Sequence, residues 1–301
     1  MDKQPVTRNW QRYLRKLNLA RRRAIRAAEA GIATALGHLR RPALELPPPE
    51  LNTDLTRQLS FCISYRNRFE HITRTLPVNL EDNRPQAEDI EFVIVQFGGE
   101  EDLYPWLVEH YSKDLDSGYI KFYTSDQMQD WHMSIAKNTA LRLGTGRFVV
   151  SLDCDNFTGP RGGQFVIDSL TPLPDQSLVW QWNGLEGDGT CGRISLSKNL
   201  FLALGGYDEE LTATAHEDYD LINRAKSQGI KIVRQQNERY ARAIAHEYGL
   251  GLPFSADELR WQRWKNRSRS MANILNANVR ANADKKMLGV HADRMASGLV
   301  D

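Results

Sequence analysis

The chain has 301 residues, of which 41% are hydrophobic and 26% charged, and its net charge is +1; this composition is typical of a globular protein and argues against disorder over the whole length. No apolar run approaches the ~18 residues that a membrane span requires, and the N-terminus lacks the apolar stretch of a secretory signal. The three cysteines, Cys62, Cys154 and Cys191, match neither a disulfide framework nor a zinc site, so we expect a reducing, cytoplasmic compartment.

The first predicted element is a basic helix. Residues 1–41 hold 11 basic and 2 acidic residues, and their apolar residues recur at spacings of three, four and seven. Pro42 and the prolines at 47–49 end this helix and form a stiff spacer. Two interpretations stay open: the arm packs on the protein's own body or on a second subunit, or it contacts anionic lipid peripherally at the inner face of the membrane. We expect no nucleic-acid partner, because no recognised nucleic-acid motif follows.

From Leu59 onward, short apolar runs alternate with segments of helical periodicity. The predicted strands are 59–64, 90–96, 119–123 and 147–152, and the predicted helices between them are 69–76, 103–111 and 131–144. This alternation indicates right-handed crossovers and a mostly parallel sheet flanked by helices. In such sheets, ligands bind beyond the carboxyl ends of the strands, so the residues that follow each strand are the first candidates for a site.

Charged residues follow two of these strands. Arg66 and Arg68 follow the first strand, and a guanidinium group suits phosphate oxygens because it can bond them bidentately. Asp153 and Asp155 follow the strand 147–152, where two carboxylates repel each other unless a divalent cation such as Mg²⁺ or Mn²⁺ binds them. Each pattern also occurs by chance in polar loops, but the position of the two aspartates directly after an unbroken apolar strand makes their pattern the more specific one.

Two polar segments follow in the second half of the body. The glycine-rich residues 183–192 are typical either of a mobile lid or of an ordinary surface loop. Further along, Glu217, Asp218 and Asp220 open a predicted helix. The helix dipole explains one carboxylate in a first helical turn, but it explains three carboxylates within four residues less well, so a functional role is also considered.

The C-terminal residues 257–294 mix nine basic with four acidic residues. Trp261 and Trp264 lie three residues apart in this region, which places them on one side of a helix. We expect one or two helices wrapped on the body, with both tryptophans facing the core. The predicted organisation is a basic helical arm with its spacer at 1–50, an α/β domain at 51–254 and a helical extension at 255–301.

Taken in order, these motifs resemble the inverting glycosyltransferases of the GT-A fold. The matching stretches are Tyr65-Arg66-Asn67-Arg68, Asp153-Cys154-Asp155, Gly205-Gly206-Tyr207-Asp208 and His216-Glu217-Asp218-Tyr219-Asp220. The resemblance is to the broad family 2 transferases, most closely to the β-1,4-galactosyltransferase group and its bacterial relatives, and it covers about Leu59–His246. It implies an α/β class with a Rossmann-like, mostly parallel sheet flanked by helices, to which helical N- and C-terminal extensions are added.

The resemblance also implies an activity. The protein would transfer a sugar, with inversion, from a nucleotide-diphosphate donor to a hydroxyl of a glycan or glycolipid acceptor in polysaccharide biosynthesis. The first donor to expect is a UDP-sugar, and the cofactor would be Mn²⁺ or Mg²⁺. Asp218 would be the base, and Glu217 would orient the acceptor. Asp155 and His246 would hold the metal, and Asp153 would either hydrogen-bond the ribose or act as a further metal ligand. The implied donor-binding residues are Tyr65, Arg66, Arg68, Gln96, Lys137, Asn138 and Asp153.

Two stretches depart from the family pattern. Gln96-Phe97 ends the second strand where family 2 enzymes usually carry the aspartate that pairs with uracil, and Thr214-Ala215-His216 stands where the galactosyltransferase group has Trp-Gly. The resemblance therefore does not identify the nucleotide base or the acceptor of this protein. The spacing of His246 fits an ordinary histidine as well as it fits a metal ligand. Two other classes stay open, a nucleotidyltransferase and a catalytically silent, membrane-associated partner in polysaccharide assembly.

Overall fold

The computed structural model describes residues 5–40, 55–182, 189–245 and 254–295, with the side chains of the N-terminal helix described from 16 to 39. The helices are α1 (Pro5–Arg40), α2 (Phe69–Asn83), α3 (Tyr104–Asp116), α4 (Met133–Leu143), α5 (Gly162–Leu170), α6 (Lys198–Ala203), α7 (Glu217–Ser227) and α8 (Ala256–Leu275). The strands are β1 (Arg57–Tyr65), β2 (Ile90–Phe97), β3 (Ile120–Ser125), β4 (Gly146–Ser151), β5 (Asn156–Phe157), β6 (Ser177–Trp180), β7 (Ile194–Ser197), β8 (Lys231–Arg234), β9 (Arg242–Ala243) and β10 (Asp293–Arg294).

The larger sheet has the strand order β10-β3-β2-β1-β4-β7-β6-β8, and β5 pairs with β9 separately. Strands β3, β2, β1 and β4 run parallel, β8 runs parallel to β6, and β7 and β10 pair antiparallel with their neighbours. The prediction of a mostly parallel sheet flanked by helices is therefore confirmed. Because Tyr65 pairs with Gln96 and Cys62 with Ser151, the carboxyl ends of β1, β2 and β4 meet at one edge of the sheet.

Both faces of the sheet are covered by helices. Successive residues of β2 point to opposite faces, so Ile94 joins the apolar cluster under α2, α3 and α5, whereas Val95 joins the cluster under α4, α6 and α7. Every residue of β2 is buried, as expected for a parallel strand covered on both sides. Its charged residue, Glu91, is neutralised by Lys121, whose Nζ lies 2.6 Å from Glu91 Oε2.

Helix α1 packs on α7, which confirms the first interpretation of the basic arm for the described residues. Ala33 is fully buried in this contact, and Gly37 lies against the last turn of α7. Glu29 is buried and pairs with Arg267 of α8. Within the described ranges, no helix has an apolar stretch long enough to cross a membrane.

Helix α8 turns its tryptophans outward. Trp261 and Trp264 are 55% and 65% exposed, so the expectation that they face the core is wrong. The buried face of α8 instead carries polar side chains at helical spacing, among them Gln262 and Asn266. Their amide groups hydrogen-bond backbone atoms of residues 212–215, just before α7. Tryptophan could not satisfy these backbone groups, because its indole has a single donor and no acceptor.

The contact between α1 and α7 requires the absence of a side chain at Gly37. A Cβ there would lie 2.3 Å from the carbonyl oxygen of Lys226, a backbone atom that cannot easily move aside. We expect Gly37→Ala to lower the free energy of unfolding by ~1–3 kcal/mol, as overpacking usually does. Denaturant unfolding measures this loss.

The matched control is Gly31→Ala in the same helix, where a Cβ would meet nothing within 4 Å. Alanine favours a helix interior over glycine, so this variant should gain ~0.5–1 kcal/mol of stability. Equal effects of the two substitutions would contradict the contact between α1 and α7.

Candidate active site

A cavity of about 1480 Å³ opens beyond the carboxyl ends of β1 and β4. The predicted site residues in its lining are Arg66, Arg68, Lys137, Asp153, Asp155, Glu217 and Asp218. They follow β1 and β4 or belong to α4 and α7, so the fold brings separate motifs together. The predicted metal ligand His246 lies outside the described residues, which end at Ala245 in this part of the chain.

Asp155 is held on both carboxylate oxygens. Arg68 Nη2 donates to its Oδ2 at 2.9 Å, and Asn156 Nδ2 donates to its Oδ1 at 2.7 Å. Burial raises the pKa of Asp153; Lys137 opposes this effect, and the neighbouring carboxylate of Asp155 adds to it. Two carboxylates that repel each other in this way are suitable oxygen ligands for a hard divalent cation.

Glu217 and Asp218 share one buried ammonium group. Lys137 Nζ lies 3.0 Å from Glu217 Oε1 and 2.7 Å from Asp218 Oδ1. Burial alone would lower the pKa of Lys137, but the charges of the two carboxylates raise it well above its ordinary value, so the lysine stays protonated. Burial by itself would raise the pKa of both carboxylates. The pKa of Asp218 rises to about 7 against the opposing charge of Lys137, whereas for Glu217 the lysine prevails and the pKa is lowered.

Gly192 marks the point at which the two acidic pairs meet. A Cβ at this position would lie 2.9 Å from Asp153 Oδ2, 3.2 Å from Asp218 Oδ2 and 3.3 Å from Lys137 Nζ. The carboxylates of Asp153 and Asp218 therefore face the same small space beside the Gly192 backbone, although they come from different elements. Any side chain at position 192 would fill that space.

Tyr65, Gln96 and Asn138 were predicted to bind the donor, and none of the three lines this cavity. Asn138 is fully buried; its Nδ2 donates to the Tyr207 carbonyl oxygen and its Oδ1 accepts from the Tyr207 amide, both at 2.8 Å. Gln96 Oε1 accepts from the Leu103 amide at 3.0 Å, and Tyr65 is fully buried. Asn138 and Gln96 therefore stabilise neighbouring loops.

No local pattern in the sequence indicates that α1 also lines the cavity. Arg26 Nη1 donates to the Tyr219 hydroxyl at 2.8 Å, and its guanidinium lies 4.3 Å from the Tyr219 ring centroid. His216 adopts a left-handed φ of 73°, stacks on Tyr219 and has a pKa lowered to about 4 by burial. Arg26 and Tyr219 are 193 positions apart, so the basic composition of the arm was the one available signal.

The described residues contain no group of three or more His, Cys, Asp or Glu side chains placed to hold a metal ion. Asp153 and Asp155 nevertheless fit a Mn²⁺ or Mg²⁺ ion, because their oxygens are the ligand type that hard cations prefer. They would supply part of a ligand set that further protein or substrate atoms complete. Close to them, the Ile244 amide donates to the Asp155 carbonyl oxygen at 2.8 Å.

Loss of the shared ammonium group should destabilise the protein in a pH-dependent way. Lys137→Met keeps the approximate shape but leaves Glu217 and Asp218 unpaired, so we expect a loss of ~3–5 kcal/mol at pH 8. Without the lysine, the pKa of each carboxylate in the folded state rises above its value in the unfolded state. The folded state then binds more protons, and the loss should grow as the pH rises from about 4 to above 7.

Denaturant unfolding of Lys137→Met and wild type at pH 5 and pH 8 measures this difference. The control is Arg147→Met, because Arg147 and Asp175 form an exposed pair 3.8 Å apart, and its removal should change stability by no more than ~0.5 kcal/mol. A loss that is equal at both pH values would contradict the assigned network.

No protein-family model matches this chain, and no curated protein sequence matches it. Solved structures do match. The mannosyltransferase PcManGT from Pyrobaculum calidifontis, in complex with GDP-Man and Mn²⁺, has a TM-score of 0.52 and 17% identity over 84% of this chain and 75% of its own. S. aureus TarS with UDP has a TM-score of 0.51 and 17% identity over 76% and 67% of the two chains. GalNAc-T7 with UDP, GalNAc and Mn²⁺ has a TM-score of 0.51 and 14% identity over 65% and 45%.

These similarities concern the fold, because identities of 14% to 17% do not carry active-site residues across. The mixed sheet, with its parallel β3-β2-β1-β4 segment and helices on both faces, matches these neighbours. The chain therefore has the GT-A fold that the order of its motifs predicted.

Proposed function

We propose that the protein is a metal-dependent, inverting glycosyltransferase that moves a sugar from a nucleotide-diphosphate donor to a hydroxyl of a glycan or lipid-linked acceptor. The observation that carries this proposal is the meeting of Asp153 and Asp218, one from each acidic pair, beside Gly192 in one cavity. One pair suits a cation-bound diphosphate, and the other suits a hydroxyl that must lose a proton. The neighbours that share the fold support the donor class, since their structures contain GDP-Man or UDP.

On the donor side, we assign Asp155, Asp153 and His246 to a Mn²⁺ or Mg²⁺ ion. His246 is assigned from the sequence resemblance, because it lies outside the described residues. When bound, the cation would offset the negative charge that develops on the departing diphosphate.

We assign Arg66 and Arg68 to the diphosphate oxygens. Arg66 Nη1 donates to the Gln129 carbonyl oxygen at 3.0 Å, and Arg68 is anchored on Asp155 at 2.9 Å. These contacts orient both guanidinium groups at the rim of the donor side. A guanidinium carries five N–H donors in a fixed geometry, so an oriented arginine can bind phosphate oxygens while it keeps a protein partner.

On the acceptor side, we assign Asp218 as the base and Glu217 as the group that orients the acceptor hydroxyl. A pKa of about 7 suits a base at neutral pH, because the carboxylate is ionised in a large fraction of molecules and binds a proton readily. Lys137 keeps both carboxylates in place through its two ion pairs.

The reaction then takes one displacement. The acceptor oxygen forms a bond to the anomeric carbon as the bond from that carbon to the diphosphate oxygen breaks, and the electron pair leaves with the diphosphate. The hydroxyl proton passes to Asp218. Because no carboxylate attacks the sugar first, this assignment predicts inversion at the anomeric carbon.

We also propose that the basic arm, residues 1–41, contacts an anionic membrane peripherally while one face of α1 packs on α7. Lys16 and Arg23 are exposed on α1 outside the cavity lining, and Leu17 is 48% exposed beside Lys16. A helix with exposed basic and apolar residues is suited to an anionic lipid surface, where a lipid-linked acceptor would be present.

Two amide substitutions separate the acceptor side from the donor side. Asp218→Asn removes the proton acceptor but keeps the side-chain shape, so donor binding should survive while transfer falls ~10²–10⁴-fold. Asp155→Asn removes a charge on the donor side, so donor affinity and transfer should both fall. Calorimetry with UDP or GDP and single-turnover transfer measure the two quantities.

The pH profile supplies a second readout of the same base. In the wild type, transfer should slow as the pH falls below about 7, because Asp218 becomes protonated. An Asp218→Asn variant that transfers near the wild-type rate would remove the base assignment.

Binding of the nucleoside diphosphate should need a divalent cation. Asp153, Asp155 and a diphosphate all carry negative charge, so they should not associate tightly without one. We expect calorimetry to show UDP or GDP binding with Mn²⁺ and a large loss of affinity with EDTA. Uridine and guanosine, which lack phosphates, are the controls and should not respond to EDTA. Equal diphosphate affinity under both conditions would contradict the metal assignment.

A further inference from the structure

The part of the cavity wall that α1 and α8 form is dominated by arginine. The charged side chains of this arginine wall are Arg21, Arg22, Arg26, Glu29, Arg260, Arg263 and Arg267. Glu29 pairs with Arg267, so the wall as described keeps a strong positive charge. It borders the same cavity as Asp218 and Glu217.

The fold does not account for the charge of Arg21 and Arg22. Among the described residues, Arg21 and Arg22 make no ion pair. Arg260 pairs with Asp257 at 3.1 Å, but both side chains are largely exposed, and exposed pairs of this kind contribute little to stability. Like charges gathered in one wall repel each other, so the arrangement becomes favourable when an anion binds there.

One hydrogen bond places the arginine wall beside the proposed base, and an exposed tryptophan adds an apolar surface to the wall. Arg26 donates to the hydroxyl of Tyr219 at 2.8 Å, and Tyr219 directly follows Asp218. Trp264 lines the same wall and is 65% exposed, so it offers a flat apolar surface among the guanidinium groups. An amphipathic aromatic ring beside cations suits a sugar that carries an anionic group.

We propose that the arginine wall is the acceptor subsite, and that the acceptor carries a phosphate group close to the sugar whose hydroxyl reacts. This inference rests on the proposed function and adds the chemical class of the acceptor. Arginine suits phosphate because its planar fork bonds two phosphate oxygens at once. The phosphate belongs either to a soluble glycan or to a lipid headgroup, and the same contacts serve both sources.

The test compares glucose 1-phosphate with glucose as calorimetric probes of the full chain. UDP and Mn²⁺ are present at saturation, so that the donor side is filled and the probe reports on the acceptor side. We expect glucose 1-phosphate to bind at least ~10-fold more tightly than glucose, the size of one charge-assisted hydrogen bond. The double variant Arg22→Gln/Arg260→Gln should abolish this difference.

The matched control is Arg147→Gln, which removes a half-exposed arginine outside the cavity lining and should keep the preference for phosphate. Equal binding of the two probes by the wild type would overturn the proposal. Loss of the phosphate preference in Arg147→Gln, to the same extent as in the double variant, would also overturn it. The double variant should bind UDP as tightly as the wild type. If the wild type does not bind UDP, the proposed function fails, but the phosphate preference and its dependence on Arg22 and Arg260 can still be measured without UDP.

Vesicles separate the two sources of phosphate. Binding to phosphatidylglycerol vesicles, but not to phosphatidylcholine vesicles, together with a preference for glucose 1-phosphate and loss of both in the double variant, would support a lipid-linked phosphate. The preference for glucose 1-phosphate without vesicle binding would support a soluble glycan phosphate. Vesicle binding that depends on the arginines, with no preference for glucose 1-phosphate, would overturn the acceptor subsite and make the wall a membrane contact.

Discussion

The buried ammonium group of Lys137 is the interaction on which the rest of the candidate site depends. Two adjacent carboxylates at the start of α7 could not stay ionised in a buried place without a cation, because desolvation and mutual repulsion both favour the neutral acids. Lys137 supplies this cation from α4, 3.0 Å from Glu217 and 2.7 Å from Asp218. It therefore connects the helix that packs under the sheet to the helix that carries the proposed base.

The surrounding structure keeps this network in position. Asn138, the next residue of α4, is so close to Gly206 that a Cβ on the glycine would lie 2.5 Å from the Asn138 amide oxygen. Arg224 of α7 donates to the Gly206 carbonyl oxygen at 2.6 Å from the other side. Asn138 also hydrogen-bonds the backbone of the next residue, Tyr207, so helix α4, the loop at Gly206 and helix α7 form one hydrogen-bonded unit. This unit fixes the distance between Lys137 and Asp218. The pKa of Asp218 depends on this distance, because burial raises the pKa and the charge of Lys137 lowers it.

Much of the fold and part of the site could be predicted because their signals are local. Apolar runs alternating with helical periodicity indicate parallel strands and crossover helices whatever lies around them. A position directly after such a strand is at the sheet edge where ligands bind, and this places Arg68 and Asp155 together before any contact is known. The excess of acid at Glu217 and Asp218 is likewise visible within one helical turn.

The sequence by itself therefore determined the four neighbouring parallel strands, the helices between them and the two acidic pairs. The tertiary structure decided the other four strands of the larger sheet and what surrounds the acidic pairs. The spacing of Trp261 and Trp264 suggested that both face the core. The middle of the buried face of α8 instead carries Gln262 and Asn266, which hydrogen-bond the backbone at 212–215, and the tryptophans lie on the exposed side. The contact of Arg26 with Tyr219 joins residues 193 positions apart, and no periodicity records such a neighbour. Asn138 was expected at the donor, but its amide bonds the Tyr207 backbone and the Glu209 carboxylate, partners that only the folded chain brings within reach.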